Sequence, residues 1–428
     1  MKIIRFPDKK NWSKILIRPV FETAALEETV SSVLKDIRNE GDTAVRRYSE
    51  KFDKVSLTNF EVTEEEKTEA LKEISENLKR AVQIAVENIT KFHEAQKSPV
   101  VNIETTPGVN CWQKSVPIEK IGLYIPGGTA PLFSTVLMLA IPARIAGCNE
   151  IILCSPPGKD GKLNQTIVYA AQVAGVTRLF KIGGVQAIAA MAFGTHTIPG
   201  VYKIFGPGNQ YVTTAKQMVA RLGVAIDMPA GPSEVAVLAN ESSNPVFVAS
   251  DLLSQAEHGA DSQVILISTS EKILEQTKTE LEEQLDRLPR KEYASRALEN
   301  SRMFLVRNDV EMMELVNAYA PEHLIISTDN ADELSQKVIN AGSVFIGEYT
   351  PESAGDYASG TNHTLPTNGY ARSYSGVNLD AYNKKITFQK ITRQGLEKIG
   401  PAIETMALAE ELTAHQRAIE LRLKHSND

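Results

Sequence analysis

The sequence predicts an α/β protein made of two parallel-sheet units, with a helical N-terminal region and a helical C-terminal tail. Two observations carry this prediction. From about residue 118 onward, short apolar and β-prone runs alternate with helical stretches, and a turn containing Gly or Pro follows most of the runs. Such a repetition of strand, tight turn and helix is typical of a parallel sheet covered by helices. The segments before and after this region have helical periodicity instead.

The N-terminal region is expected to be helical. Residues 24–40 have apolar positions at helical spacing, and Gly41 is a plausible C-terminal stop. Residues 63–96 carry apolar residues three and four positions apart, and Thr63 with Glu66 has the spacing of a capping box. This second segment is predicted to be one long amphipathic helix.

The apolar runs form two groups joined near residues 228–233, so each group is predicted to form one α/β unit. Past residue 370 these runs fade, and residues 395–423 are predicted to be helices. The predicted strands are 121–125, 151–154, 179–182, 201–205, 264–268, 304–306, 324–327 and 344–346.

Length and composition indicate a globular protein with more than one domain. The chain has 428 residues, of which 42% are hydrophobic and 23% charged, so disordered and fibrous classes are excluded. A net charge of −7 argues against a nucleic-acid partner. The first ten residues lack the apolar run of a secretory signal or membrane anchor, so we expect a cytoplasmic protein without a membrane partner. The three cysteines lack the spacing of a thiolate zinc site, so any metal has N and O ligands.

Three glycine-containing turns follow predicted strands, at residues 126–128, 183–184 and 206–209. At the carboxyl ends of parallel strands, glycine lets backbone amides approach a phosphate. Ordinary turn chemistry explains any single one of them equally well. Tyr211 stands where a GxGxxG motif beginning at Gly206 needs its third glycine, so a dinucleotide site here is not of the standard type.

Two pairs of polar residues in the second half are candidate site residues. Gln255 and His258 lie three apart on one helical face, which suits half of a zinc or manganese site. Alternatively, His258 is a helix-end histidine held by a hydrogen bond. Glu322 and His323 lie at the start of the predicted strand 324–327 and have the chemistry of a paired acid and base. Neighbours in a strand point to opposite faces, so both serve one site only if the backbone turns there.

Three more residues leave alternatives open. Asp356 lies in the glycine-punctuated segment 351–363, predicted to be a loop, where it is either a metal ligand or part of an Asx turn. His415, one turn after Glu410 in the tail, is by itself a solvent-facing histidine. Cys154 at a strand end has the position of a covalent nucleophile, but its apolar neighbours favour a buried core thiol.

These residues stand in segments that closely resemble the histidinol dehydrogenase family. The resemblance runs from about residue 20 to the tail, and its motifs are long, numerous and specific. They are GLYIPGG at 122–128, GPGNQYVTTAK at 206–216, DMPAGPSE at 227–234, SQAEHG at 254–259, APEHL at 320–324 and SAGDYASGTNHTLP at 353–366.

The resemblance implies an intertwined homodimer of chains with two incomplete Rossmann-like domains. It also implies oxidation of L-histidinol to L-histidine through the aldehyde, in the final steps of histidine synthesis, with reduction of two NAD. One zinc per site is implied, with the ligands Gln255, His258, Asp356 and His415, the last from the partner subunit's tail. The implied substrate contacts are Ser233, Gln255, His258, His323, Asp356, His363, Glu410 and His415. The implied NAD contacts are Tyr124, Gln186 and Asn209.

In the implied mechanism, His323 takes the alcohol proton while hydride leaves for NAD, and Glu322 then activates the water that adds to the aldehyde. Zinc orients the substrate through its nitrogens.

Two rival functions differ in what they require. A zinc hydrolase would not depend on NAD, and a structural zinc clamp between subunits would tolerate loss of Glu322 and His323.

The predicted division of the chain has four parts. Residues 1–20 form an N-terminal arm, and residues 378–428 form a helical dimerisation tail. Residues 21–122 and 235–377 together form the first α/β domain, and residues 123–234 form the second, on the NAD side.

Overall fold

The structure is a computed structural model that describes residues 1–19, 23–127, 131–229 and 231–424. It confirms the predicted α/β class: two parallel sheets and one small antiparallel sheet are surrounded by helices. The strands are β1 Lys2–Arg5, β2 Val101–Thr106, β3 Val109–Pro117, β4 Lys120–Tyr124, β5 Glu150–Ser155, β6 Arg178–Lys181, β7 Lys203–Phe205, β8 Ala225–Ile226, β9 Glu234–Ala239, β10 Gln263–Ser268, β11 Arg302–Leu305, β12 His323–Ser327, β13 Ser343–Ile346 and β14 Asn383–Ile391.

The α-helices vary from single turns to nineteen residues. They are α1 Trp12–Ile15, α2 Thr23–Glu40, α3 Asp42–Tyr48, α4 Glu64–Lys72, α5 Glu76–Glu94, α6 Phe133–Ala146, α7 Gln165–Ala174, α8 Gly184–Phe193, α9 Gln210–Ala220, α10 Pro245–Ala256, α11 Glu271–Leu285, α12 Lys291–Glu299, α13 Asp309–Tyr319, α14 Ala331–Ser335, α15 Glu352–Tyr357, α16 Arg393–Ala409 and α17 Thr413–Lys424. Within the described ranges, none of these helices is long and apolar enough to span a bilayer.

The five-stranded sheet has the order β6-β5-β4-β7-β8, and all of its strands are parallel. Counted along the chain, this order is 3-2-1-4-5, which is the Rossmann order without its sixth strand. Apolar side chains alternate between the two faces of β4 and β5. One face packs on α6 and α7, and the other packs on α8 and α9.

The six-stranded sheet repeats this topology in the order β1-β11-β10-β9-β12-β13. Strands β9 to β13 again run 3-2-1-4-5, and β1 adds to the edge through parallel pairing with β11. Helices α10 to α12 cover one face, and α13, α14 and Trp12 cover the other. In both sheets, therefore, the strand order reverses beside the first strand, where ligands of such folds tend to bind.

All eight predicted strands exist, with ends shifted by two residues or fewer, and the predicted joint near residues 228–233 lies between β8 and β9. The prediction missed the edge strand β1, the two-residue β8 and the central strand β9. β1 and β8 are too short for a clear periodicity. β9 directly follows the turn-rich segment 227–233, which hid its apolar run.

The helix predicted over residues 63–96 is wrong in one respect, because it is two helices. The capping box is confirmed: Thr63 accepts from the amide of Glu66, whose side chain accepts from the amide of Thr63. However, α4 ends at Lys72, and Ser75 caps a new helix by accepting from the amide of Leu78. A serine side chain can bind nearby backbone N–H groups in place of the helical hydrogen bonds, and so it can end one helix and begin another within a single apolar periodicity.

The antiparallel sheet, with the order β14-β3-β2, was not predicted. Its strands come from two segments that were expected to be helical or irregular, and β14 pairs with β3 along nine residues. The predicted helical tail therefore begins with a strand before α16 and α17. Several large apolar side chains on this sheet and tail are exposed, among them Ile103, Phe388, Met406 and Leu408.

The predicted grouping of residues 21–122 with 235–377 stays a prediction. Here α2 packs against α8 and α9, and α5 packs against α6, so these N-terminal helices form outer layers over the five-stranded sheet. The predicted N-terminal arm also stays a prediction; within it, β1 pairs with β11 as a strand of the six-stranded sheet. The N-terminal region therefore contacts both sheets.

Candidate active site

The candidate active site lies between the facing edges of the two parallel sheets. A cavity of about 140 Å³ is lined on one side by Gly206 and Asp227, which follow β7 and β8. On the other side it is lined by Ser233 and Glu322, which precede β9 and β12. The carboxyl edge of one sheet thus faces the amino edge of the other, at the point where both strand orders reverse.

The structure brings most of the sequence-predicted site residues together in this cavity. The predicted residues that line it are Ser233, Gln255, His258, Glu322, His323, Asp356 and His363. Glu410 and His415 lie elsewhere in this chain: Glu410 directly follows α16, His415 lies in the first turn of α17, and both are exposed. Tyr124, Gln186 and Asn209 line a second cavity, described below.

Glu322 and His323 both face one site, although neighbours within a strand would point to opposite faces of the sheet. Ala320 ends α13 in a left-handed conformation with φ 55°, and β12 begins only at His323. Glu322 therefore lies outside the strand, and its Oε2 is 3.6 Å from His323 Nδ1. Both residues are buried. The turn of the backbone before β12 creates the pair.

The backbone of Glu234, the first residue of β9, connects the pair to Gln255. Its N–H donates to Glu322 Oε2 at 2.8 Å. Its carbonyl accepts from Gln255 Nε2 at 3.1 Å and lies 3.2 Å from His323 Nδ1. The side chain of Glu234 is buried behind the site in an ion pair with Arg18. Three side chains of the site are thus positioned by one residue.

His323 has one ring nitrogen free for chemistry. Because the Glu234 carbonyl can only accept, a proton on Nδ1 satisfies this contact and leaves Nε2 with a lone pair. Nε2 has no hydrogen-bond partner among the described residues and lies 3.6 Å from Asp356 Oδ1. Burial acts to lower the pKa of His323, but the carboxylates of Glu352 and Glu322 outweigh it and hold the pKa well above its usual value. A cation among these carboxylates would oppose that increase.

The donor set of the cavity fits a divalent metal. Gln255 donates through Nε2 to Glu234, which leaves Gln255 Oε1 buried without a partner in the described part of the chain. His258, Asp356 and Glu352 each offer one ligand atom, and these atoms lie within 4.8 Å of one another. Amide and carboxylate oxygens with an imidazole nitrogen are ligands that zinc accepts. Of the four predicted zinc ligands, the chain supplies Gln255, His258 and Asp356 here, whereas its own His415 is not in the cavity.

His363 is held by protein partners on both ring nitrogens. Its Nδ1 donates to the backbone carbonyl of Asp356 at 2.9 Å, so Nε2 accepts from the hydroxyl of Thr135 at 3.0 Å. Burial lowers the pKa of His363, which keeps the ring neutral. A direct contact between its Nε2 and a substrate therefore requires displacement of the Thr135 hydroxyl.

The second cavity, of about 900 Å³, lies along the carboxyl ends of β4, β5, β6 and β7. Helices α8 and α9 begin at its rim, and such helix N-termini suit phosphate groups. Of the predicted glycine turns, Gly127, Gly184 and Asn209 line it, whereas Gly128 lies outside the described residues. Its volume is in the range of cofactor sites.

The three predicted NAD contacts are fixed by neighbours in this cavity. The hydroxyl of Tyr124 accepts from the amide of Gly184, and Asn209 Oδ1 caps α9 by accepting from the amides of Tyr211 and Val212. Gln186 donates to Asp53 Oδ2 at 3.0 Å, and its Oε1 is buried without a partner among the residues described. An unpartnered buried acceptor suits a hydroxyl or amide donor of a ligand.

Sequence reasoning missed a buried ion pair that lines the smaller cavity. Lys216 Nζ and Asp227 Oδ1 are 2.5 Å apart, and both side chains are buried. Lys216 also donates to the carbonyl of Gly206, and Asp227 accepts from the amide of Gly206. Gly206 has φ 122°, and a Cβ there would lie 2.0 Å from the carbonyl oxygen of Tyr124, so the turn requires glycine. The pair fixes this turn in place.

Glu352 was also missed, because the segment 351–363 was predicted to be a loop. The prediction is wrong for its first part, which forms α15. Glu352 and Asp356 are four residues apart and share one face of this helix. That spacing was visible in the sequence, but a glycine and two small residues near it obscured the helix.

Two Rossmann-like sheets, a polar catalytic-type cavity between them and a larger cavity beside it define an α/β enzyme. The histidinol dehydrogenase family model matches residues 16–423. The histidinol dehydrogenase of Bacteroides thetaiotaomicron is 60% identical over 423 residues, covering 99% of both chains. That of Escherichia coli K12 is 51% identical over 413 residues, covering 96% of this chain and 94% of its own. A crystal structure of histidinol dehydrogenase from Elizabethkingia anophelis is 55% identical, with a TM-score of 0.98, and the match covers 100% of this chain and 99% of that one. The chain belongs to the histidinol dehydrogenase family, and it is an oxidoreductase.

Proposed function

We propose that the protein oxidises L-histidinol to L-histidine in two NAD-dependent steps, through L-histidinaldehyde, at the end of histidine biosynthesis. The observation that carries this proposal is the convergence of Glu322 and His323 with Gln255, His258 and Asp356 in one cavity. The larger cavity at the carboxyl ends of β4 to β7 supports the NAD site. The names of the relatives supply the substrate.

The protein's own groups have distinct tasks in this reaction. In the neutral ring of His323, Nε2 has a lone pair and faces Asp356. This nitrogen takes the proton of the substrate hydroxyl as hydride leaves for NAD. In the second step the carboxylate of Glu322 takes a proton from the water that adds to the aldehyde. His323 then takes a hydroxyl proton of the resulting hydrate as its hydride leaves for a second NAD, which gives the acid. The backbone of Glu234 holds both side chains in place during the two steps.

Zinc is the proposed metal, held by Gln255, His258, Asp356 and the partner's His415. When bound, zinc acts as a Lewis acid that orients the substrate through its nitrogens. The unpartnered Oε1 of Gln255 supports this proposal, because a buried acceptor of this kind needs a partner. Ser233, His363 and Glu410 are the proposed further substrate contacts, and Tyr124, Gln186 and Asn209 the proposed NAD contacts.

The proposed assembly is a homodimer in which the tails are exchanged. Glu410 and His415 are exposed in one chain, and α17 has no buried residue in its described part. Exposed apolar side chains in the tail, including Met406, Leu408 and Leu412, support a cover supplied by a second chain. The protein is further proposed to be cytoplasmic, since its three cysteines are free thiols.

The first experiment measures NADH formation from L-histidinol and NAD by purified protein, with and without a zinc chelator. The proposal requires NADH formation that chelation abolishes and added zinc restores. NADH formation that survives complete zinc removal would refute the metal's role. Activity on simple primary alcohols equal to that on L-histidinol would refute the substrate.

Tail exchange is tested by mixing two inactive variants, His415→Ala and His323→Ala, after dissociation. A mixed dimer has one complete site, built from the body of the first variant and the tail of the second. Random reassortment makes half of the dimers mixed, so about a quarter of wild-type activity returns. If His415 serves its own chain, no activity returns.

A further inference from the structure

Glu352 is a buried carboxylate that the proposed function leaves without a task. It is the first residue of α15 and is 1% exposed. Neither of its oxygens has a hydrogen-bond partner within the described ranges. Buried polar atoms are nearly always hydrogen-bonded, and an ionised carboxylate without a partner is costly. We therefore expect that a bound group, absent from the chain itself, contacts these two oxygens.

The geometry around Glu352 identifies that group as a cation. One carboxylate oxygen of Glu352, one of Asp356 and one ring nitrogen of His258 lie within 4.8 Å of one another. The charged groups that act on Glu352 are the imidazole of His323 and the carboxyls of Asp356, Glu322 and Asp251. Two imidazoles, those of His258 and His323, lie among these four carboxyl groups. The excess of negative charge of the ionised carboxylates is one that a divalent cation would balance.

We propose that Glu352 is an additional ligand of the active-site metal in the substrate-free enzyme. It would bind the ion together with Gln255, His258 and Asp356, all from the same chain. This inference rests on the proposed function only in taking that metal to be zinc. In this inference Glu352 binds the metal before the substrate does, and nitrogens of the substrate later replace Glu352 as ligands. One chain alone would then hold the metal before the partner's tail completes the site.

The test is a zinc titration of metal-free protein in competition with a chromophoric chelator. The variants are Glu352→Gln, Glu352→Asp and, as a matched control, Glu348→Gln, which removes the same charge from an exposed position four residues earlier. Outer-shell partners of a metal change its affinity about 10–100-fold, so loss of a direct ligand should exceed about 100-fold for Glu352→Gln. Glu348→Gln should bind zinc as the wild type does. Glu352→Asp should recover part of the affinity.

Zinc affinity of Glu352→Gln within about threefold of the wild type would overturn the inference. If the loss of zinc affinity lies between these two limits, a crystal structure of the zinc-loaded, substrate-free enzyme decides whether Glu352 is a ligand. A Glu352 oxygen at about 2.0–2.2 Å from zinc supports direct ligation, and a distance beyond 3 Å contradicts it. Circular dichroism of the metal-free variants checks that they fold.

Failure of this inference is distinct from failure of the proposed function. If the wild type binds zinc and forms NADH but Glu352→Gln binds zinc equally well, only the role of Glu352 is wrong. If the wild type binds no zinc at all, the proposed metal site and the role of Glu352 are both wrong.

Discussion

Replacement of Arg18 by methionine should destabilise the protein strongly, because it leaves a buried carboxylate without its cation. Arg18 donates to both oxygens of Glu234, at 2.5 and 2.9 Å, and to the carbonyl of Tyr319 at 2.8 Å. Its guanidinium carbon also lies 4.0 Å from the centre of the Tyr319 ring. The side chain of Glu234 is 2% exposed and that of Arg18 is 11% exposed. Solvent therefore cannot replace the lost contacts.

The expected loss follows from the geometry of the pair. Removing one partner of a buried, hydrogen-bonded ion pair typically costs about 3–5 kcal/mol. The amide of Asn368 still donates to Glu234 in the variant, which places the loss near the lower end, about 3 kcal/mol. The double variant Arg18→Met with Glu234→Gln removes both charges of this pair and should lose only about 1–2 kcal/mol.

Urea denaturation at one fixed protein concentration measures this effect, since the stability of an oligomer depends on concentration. The reasoning would be refuted if Arg18→Met lost less than about 1 kcal/mol, or if the double variant were as unstable as the single one. Because Glu234 positions His323 and Gln255, folded Arg18→Met should also show a reduced kcat. The conservative variant Arg18→Lys should restore part of that kcat.

Three further predictions concern pH and chemistry. Burial lowers the pKa of His93, so its neutral ring takes up a proton on unfolding below about pH 6.5, and stability falls as the pH drops through that value. In His93→Leu the decrease of melting temperature between about pH 6.5 and 5 should be shallower, and equal slopes would contradict the assignment. Cys154 is fully buried and burial raises the pKa of its thiol, so Cys154→Ala should keep near-normal turnover; loss of NADH formation there would revive covalent catalysis. Glu322→Gln should slow oxidation of supplied histidinaldehyde more than the first oxidation of histidinol in single-turnover measurements, and equal slowing of both steps would refute the division of roles.

The parallel sheets were predictable because their strands are buried on both faces. Such strands read as continuous apolar runs, as in β5 and β10, and glycine or proline follows most of them. The antiparallel sheet was not predictable in the same way. Strand β14 carries lysines and exposed positions along its whole length, and its partner β3 lies more than 250 residues earlier in the chain. Its stability comes from long-range pairing, which leaves little local pattern.

The candidate site was predictable in its residue types but not in its architecture. Spacing alone placed Gln255 and His258 on one helix face, and the resemblance to a family supplied the remaining residues. The backbone contact between Glu234 and Glu322 joins positions 88 apart. It exists because β9 and β12 are neighbours in the sheet, which periodicity does not reveal. The glycine turns in the sequence pointed to the carboxyl ends of strands, whereas Glu322 and His323, the proposed catalytic pair, lie at the amino end of β12.

The role of Glu352 shows a second limit of local patterns. Its spacing to Asp356 was visible, but its burial without a partner depends on how α15 packs beside α10. A carboxylate in a small-residue segment normally remains in solvent. Only the three-dimensional arrangement distinguishes this one.

The most direct test of the account is the end-point yield of NADH when L-histidinol is limiting and NAD and zinc are in excess. The account predicts two NADH for each L-histidinol and L-histidine as the product, because His323 serves both oxidations and Glu322 serves the second at the same site. A yield of one NADH with the aldehyde as product would contradict the role of Glu322 in activating water. A yield of zero from zinc-loaded protein would contradict the dehydrogenase function itself.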